Sequence, residues 1–274
     1  MQDINRIVPM YDGAEKKPYY KYLLMPIEQP PQGAEFFKNL VKKESGLEFA
    51  DRQKMQTEGL DTISDGVYIQ NDGGILIAAN VPAPDLTPET LNWWFAWHFL
   101  DPLRYAIWDP NDHFDTIISE KERQRLLDQT IPYRERPWGM NNSVKESMNG
   151  EEPMDLNIYF KRPSDIGFSD QVNDSTCTAF FCGSAMQDFG TFKAPLTIAL
   201  VLVRDEKNAS YVIKERFWLG YGINDEGIGY TQFPTEWLEP FAEKFQSLAL
   251  HCHKEYRHLN KILPSVYKEN KDNW

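Results

Sequence analysis

Four strand-length runs, each rich in Ile, Val, Phe, Tyr or Trp, occupy residues 154–160, 176–181, 196–203 and 211–219. They are followed by one long amphipathic stretch that ends the chain. That order constrains the fold more than any other feature. Residues 204–210 (RDEKNAS) form a polar loop, so the last two runs should pair as an antiparallel hairpin. A second hairpin is signalled at residues 66–70 and 74–79, which flank Asn71-Asp72-Gly73. Helices and hairpins mix without regular βαβ alternation, which points to an α+β fold and not a doubly wound sheet. The expected architecture is a curved antiparallel sheet gripping one C-terminal helix. That helix should run from about Thr235 or Pro240 to Leu263 and stop at Pro264.

Ahead of the second half, residues 1–35 read as an irregular arm, and a helix is expected over 34–43. Thr87 is a suitable N-cap with Pro88 at the first helical position, opening a helix over about 89–99. Trp93, Trp94, Phe95 and Trp97 lie nearly all round it, so it should be buried on several sides. Ser119 to Glu122 form a capping box for a short charged helix reaching Leu127.

Charge and cysteine count narrow the function. The 29 basic and 41 acidic residues leave a net charge of −12, which argues against nucleic-acid or anionic-membrane surfaces. Cys177, Cys182 and Cys252 make no disulfide framework and read as packed thiols. No signal-peptide run or membrane-length apolar stretch is present, so a cytoplasmic location is expected. Gly220, Gly222, Gly227 and Gly229 lack the strand–turn–helix context of a phosphate loop.

The most informative local pattern is His251-Cys252-His253-Lys254-Glu255. His251 and Glu255 are four apart and share one helical face, at the border of a stripe formed by Phe241, Leu248, Cys252 and Leu259. Imidazole nitrogen with carboxylate oxygen suits a zinc-type ion, with His258 as a spare ligand one turn on. An isolated pair of this kind is more often an ordinary helix contact, and two ligands make no site. Of the remaining histidines, His98 reads as a packed core residue. His113 lies in a turn-forming polar loop (WDPNDH) and is the better ligand candidate. Tyr105, beside Arg104, could offer a phenol to a pocket.

Several separated blocks resemble one family. Trp93-Trp94-Phe95-Ala96-Trp97-His98, Leu103 to Trp108 and Pro110 to His113 form the first group. Arg216-Phe217-Trp218-Leu219-Gly220 follows, then His251-Cys252-x-x-Glu255 with Ile262-Leu263-Pro264-x-x-Tyr267. In order and spacing these resemble the diacetylphloroglucinol hydrolase family, which also contains phloretin hydrolase, over about residues 60–267.

The resemblance implies a Zn2+-dependent hydrolase that cleaves the carbon–carbon bond between a phloroglucinol ring and an acyl carbonyl. It implies a metal centre of two histidines and two glutamates: His113, Glu146, His251 and Glu255, with Glu151 and Glu152 close to Glu146. It further implies a helix-grip domain of the Bet v 1 kind over 86–274, preceded over 1–85 by a smaller, mostly helical region that makes a homodimer. Tyr105 and Tyr221 are the candidates for binding ring hydroxyls and moving protons. One departure is plain: residues 196–204 hold no histidine, where the family's cavity leads one to expect it. Phloretin is the expected substrate. The alternatives are diacetyl- or monoacetylphloroglucinol, or a non-catalytic carrier of hydrophobic ligands on the same fold.

Overall fold

The computed structural model describes residues 11–27, 41–42, 46–57, 61–188, 193–205, 207, 209–224, 227–230 and 233–274. The expected helix over 34–43 lies outside these residues except for Val41 and Lys42, which are strand. In chain order the described elements begin with α1 (Tyr20–Leu23), β1 (Val41–Lys42), β2 (Gly66–Ile69), β3 (Ile75–Pro82), α2 (Pro88–Trp97), α3 (Pro102–Ala106), β4 (His113–Ile117) and α4 (Glu120–Leu127). They continue with β5 (Asn141–Glu146), β6 (Met154–Phe160), β7 (Ala179–Asp188), β8 (Lys193–Asp205), β9 (Ser210–Leu219), β10 (Tyr221–Asn224), β11 (Gly227–Tyr230), α5 (Thr235–Lys244) and α6 (Gln246–Asn270).

Nine strands form one sheet in the order β1-β2-β3-β9-β8-β7-β6-β5-β4, antiparallel throughout except for the two-residue β1–β2 pairing. Strands β4 to β9 follow one another as a meander, while α2 and α3 carry the chain from β3 to the opposite edge. The β2–β3 hairpin turns through Gly73 at φ 89°, and Gln70 N–H donates to Gly74 O at 2.9 Å. This is a conformation that glycine adopts without a Cβ penalty. β3 pairs with β9 from Ile75↔Leu219 to Pro82↔Val212. The hairpin therefore belongs to the same sheet as the strands that follow residue 85.

Strand alternation divides the core. Ile75, Ile77, Ala79 and Val81 of β3 join an inner cluster with α2 and α6. Leu76 and Ala78 face outward to Phe49, Tyr68 and Trp218. α6 packs on β3, β2 and α2, giving the helix-grip arrangement. The tryptophan-rich α2 is the wedge at one end. Trp93 stacks on Trp97 at 4.7 Å, and Tyr267 of α6 meets Trp93 edge-on at 5.2 Å. Thr87 caps α2 as expected, and Ser119 and Glu122 form the capping box of α4. Among the described residues no helix is long and apolar enough to cross a membrane.

Three expectations differ from the structure. β7 begins at Ala179 and extends to Asp188, because residues 173–177 are held in a turn by the side chain of Asn173. The C-terminal helix breaks at Phe245, and α6 then runs through Pro264 to Asn270. Burial of Ile262, Leu263 and Val266 on both sides of the proline offsets the lost backbone hydrogen bond. His113 is not in a loop: it opens β4. Residues 221–224 and 227–230 pair as a small separate two-stranded sheet, β10–β11. Because Pro264 sits mid-helix, Pro264→Ala is expected to raise unfolding stability by about 1–2 kcal/mol, read as a higher urea midpoint.

Candidate metal centre and cavity

A β-bulge assembles one half of the site. His113 at the start of β4 pairs with Glu146 at the end of β5, and the register slips between His113 and Asp115. Bulges of this kind re-aim side chains near functional sites. α6 supplies the other half, with His251 and Glu255 one turn apart on its buried face. The Nε2 atoms of His113 and His251 are 3.3 Å apart. A Glu255 carboxylate oxygen lies 3.4 Å from the first and 3.8 Å from the second. Ligating atoms of His113, Glu146 and His251 all fall within 4.8 Å of one another. All four residues are buried.

Tyr105 of α3 completes the cluster. Its ring lies parallel to His113 at 4.1 Å, and its hydroxyl donates to Glu146 Oε2 at 2.5 Å. His113 Nδ1 is 3.3 Å from the Tyr105 carbonyl oxygen, so Nε2 is the nitrogen turned toward His251. His251 Nδ1 faces the Asp112 carboxylate at 3.6 Å. That carboxylate is held by Ser147 Oγ at 2.5 Å, by the Gly150 and Asn149 N–H groups at 3.0 and 3.1 Å, and by the Lys254 ammonium. Each imidazole thus has one nitrogen oriented by an outer partner and the other turned inward, which is the usual preparation of histidines for a metal.

The titration behaviour shows what this crowding costs. Burial, with the neighbouring His251, holds His113 well below the ordinary histidine range. Burial also pushes Glu255 well above the carboxylate range, reinforced by Glu215 and Glu146. Burial opposes charging His251, yet Asp112, Asp109 and Glu146 outweigh it and raise its pKa. At Asp112 burial is outweighed by hydrogen bonds from His251, Lys254 and Ser147, which hold the carboxyl well below its usual range. Two inward nitrogens and two carboxylates without countercharge form a donor set that fits a divalent cation of the zinc type.

The cluster lines a cavity walled by Phe95, Trp108, Phe160, Phe181 and Phe217, with Lys244 and Glu151 also on its lining. The inward residues of β8 are Leu196, Ile198 and Leu200, where a histidine was expected. Tyr105 is on the wall. Tyr221 is not, which corrects its expected place. Its hydroxyl bonds Asp72 and its ring stacks on Phe49 at 4.9 Å, in the outer cluster beyond the sheet. The first residue after a glycine bend has rotated to the opposite face. His258 is buried on α6 but does not line the cavity, and Glu152 is exposed at the surface. His98 is the packed core residue expected: it stacks on Trp94 at 5.4 Å, and its Nδ1 meets Trp94 O at 2.8 Å. The three cysteines are buried free thiols.

The model of one protein family, described as the DAPG hydrolase PhiG domain, matches residues 47–268. The chain belongs to the DAPG hydrolase family. It is 28% identical over 284 residues to phloretin hydrolase of Eubacterium ramulus, covering 99% of this chain and 98% of that one. It is 22% identical over 280 residues to 2,4-diacetylphloroglucinol hydrolase of Pseudomonas protegens, covering 94% and 86%. Among solved structures, Ara h 8.0201 is 10% identical and spans 70% of this chain and 99% of its own, with a TM-score of 0.38.

Three residues of the site escaped sequence reasoning: Asp112, Lys254 and Glu215. Asp112 and Lys254 adjoin candidate ligands in the chain, a usable signal. Glu215 looked like one of three charges on an ordinary strand. Lys254 is nearly fully buried between Asp112 and Asp109. Lys254→Met is therefore expected to cost about 3–5 kcal/mol, because it leaves buried carboxylates without their cation; chemical denaturation reads this directly. Burial lowers the His98 pKa to about 3, so the folded state binds fewer protons than the unfolded state between that value and about 6.5. Stability then falls as pH drops through this window. From pH 6.5 to 4.5 His98 should account for about 2 kcal/mol of loss, absent in His98→Phe, as measured by denaturation at both pH values.

Proposed function

We propose that this chain is a zinc-dependent hydrolase that cleaves the carbon–carbon bond between a phloroglucinol ring and an acyl carbonyl. Its substrate in this reading is phloretin, giving phloroglucinol and 3-(4-hydroxyphenyl)propanoate. The observation that carries the reading is the His113–Glu146–His251–Glu255 cluster lining an aromatic-walled cavity, in contact with Tyr105. Kinship with enzymes named for phloretin and for 2,4-diacetylphloroglucinol gives the substrate class.

His113, Glu146, His251 and Glu255 would hold the ion, which when bound supplies Lewis-acid polarisation of a carbonyl and a lowered pKa for a water molecule. The chain's own residues do the rest. The Tyr105 hydroxyl already donates a hydrogen bond to Glu146, so its phenol oxygen is left to accept one from a ring hydroxyl. The phenylalanine walls exclude bulk water and strengthen every polar contact inside. Water contributes hydroxyl to the acyl carbon and a proton to the ring carbon. The ring can leave because its hydroxyls let that carbon accept the proton in a keto tautomer. The apolar inner face of β8, with Leu196, Ile198 and Leu200 in place of a histidine, favours a long hydroxyphenylpropanoyl arm over an acetyl group.

Purified protein should contain one zinc per chain and release phloroglucinol from phloretin, and should lose this activity to a chelator and regain it with zinc. Glu255→Ala should lower metal content and reduce kcat/KM by at least the roughly 100-fold that even outer partners of a ligand can cost. Turnover of diacetylphloroglucinol alone would move the substrate assignment. Neither metal nor turnover would leave a carrier of hydrophobic ligands.

A further inference from the structure

Glu215 is a buried acid of the cavity that the reading above leaves without a task. β9 alternates across the sheet: Ile213, Phe217 and Leu219 join the inner cluster and Trp218 the outer one. Glu215 takes the inner face between Ile213 and Phe217, opposite Leu200 on β8 and Ala79 on β3. It is 6% exposed and lines the cavity. A carboxyl among aliphatic neighbours is costly to bury unless its oxygens are satisfied. Only half of this one is. Oε1 accepts from the Tyr256 hydroxyl at 3.1 Å, whereas Oε2 has no hydrogen-bond partner among the described residues.

Its location gives the unused oxygen a meaning. One carboxylate oxygen of Glu215, one of Glu255 and Sγ of Cys252 lie within 4.8 Å of one another. Glu215 therefore stands where the His/Glu cluster gives way to the apolar wall of Phe217 and Leu200. A flat ring whose acyl carbonyl reaches the cluster would present its edge to this carboxyl. The complement of a lone buried acceptor between apolar walls is a planar apolar group with a hydrogen-bond donor on its rim, which describes a phenol.

We infer that Glu215 contacts substrate: its unpartnered Oε2 accepts a hydrogen bond from a hydroxyl of the polyphenol ring and sets the rotation of that ring beside the His113–His251 cluster. This rests on the acylphloroglucinol reading. Together with Tyr105 across the cluster it would hold the ring at two hydroxyls, fixing which carbon faces the cluster.

The test compares wild type, E215Q and E215L by calorimetric binding of two rings to the zinc-loaded protein. Phloroglucinol carries three donors. 1,3,5-Trimethoxybenzene has the same ring with every donor removed. E215L is expected to weaken phloroglucinol binding about 10- to 100-fold, the range for leaving a buried hydroxyl donor without its acceptor. Its affinity for trimethoxybenzene should not change. E215Q keeps an acceptor oxygen and should lose less. Zinc content should match wild type, and the thermal midpoint of E215L should change little, since removing a buried carboxyl offsets the hydrogen bond that the Tyr256 hydroxyl loses. Equal phloroglucinol affinity in wild type and E215L would overturn the inference. So would parallel loss of both rings, which marks a structural role, or loss of zinc, which marks a ligand. Failure of the broader reading is seen separately, as absence of phloretin turnover in wild type.

Discussion

Burying charge in an apolar interior is the constraint on which this molecule turns. Asp109, Asp112, Glu146, Glu215 and Glu255 are all buried around His113, His251 and Lys254. No such set survives in a low-dielectric medium unless each charge meets a partner. Asp112 meets this demand through Lys254, His251, Ser147 and two backbone N–H groups. Its pKa is pulled down, while those of Glu146, Glu215 and Glu255, on the cavity side, are pushed up. The polar cluster is thus sorted into a satisfied outer layer and an undersatisfied inner one. The inner layer is the part that lines the cavity.

The rest of the fold serves that arrangement. The bulge in β4 turns His113 toward Glu146, and α3 brings Tyr105 flat against His113. α6 contributes two inward side chains, His251 and Glu255, and, between them, Lys254 to the outer layer. α6 can do this because it is clamped on one side by β3 and on the other by the tryptophan wedge of α2. Trp97 Nε1–H reaches Asn273 O at 2.9 Å, beyond the end of α6, so wedge and helix are fastened at the far end too. Rigid elements with packed neighbours hold a donor set more accurately than loops do.

How much of this could be read beforehand varied by residue, for physical reasons. Thr87, Ser119 and Asn71-Asp72-Gly73 act through bonds to near neighbours, and each did what its local chemistry demands. Pro264 misled because tertiary burial on both sides outweighs a local preference. His113 sits in a short edge strand and Glu146 in its neighbour, and their short sequences carry little apolar alternation, so their pairing was invisible although both residues had been named as ligands. Tyr221 was misplaced because a turn at Gly220 reverses which face a side chain takes. Glu215 was passed over because a charged residue in a strand looks solvent-exposed until the sheet covers it.

Local order along the chain determined the hairpins, the capped helices, the closing amphipathic helix and the i,i+4 spacing of His251 and Glu255. All of these depend on contacts a few residues apart. Family blocks spread along the chain were legible too, because each is a contiguous run. Only the tertiary structure decided that residues 113, 146 and 251 meet within 4.8 Å. It alone decided which carboxylates are buried with partners and which without, and which tyrosine reaches the cavity. Those outcomes rest on sheet register, a one-residue bulge and the docking of α6, where partners lie a hundred or more residues apart and the energy comes from burial that no local window contains.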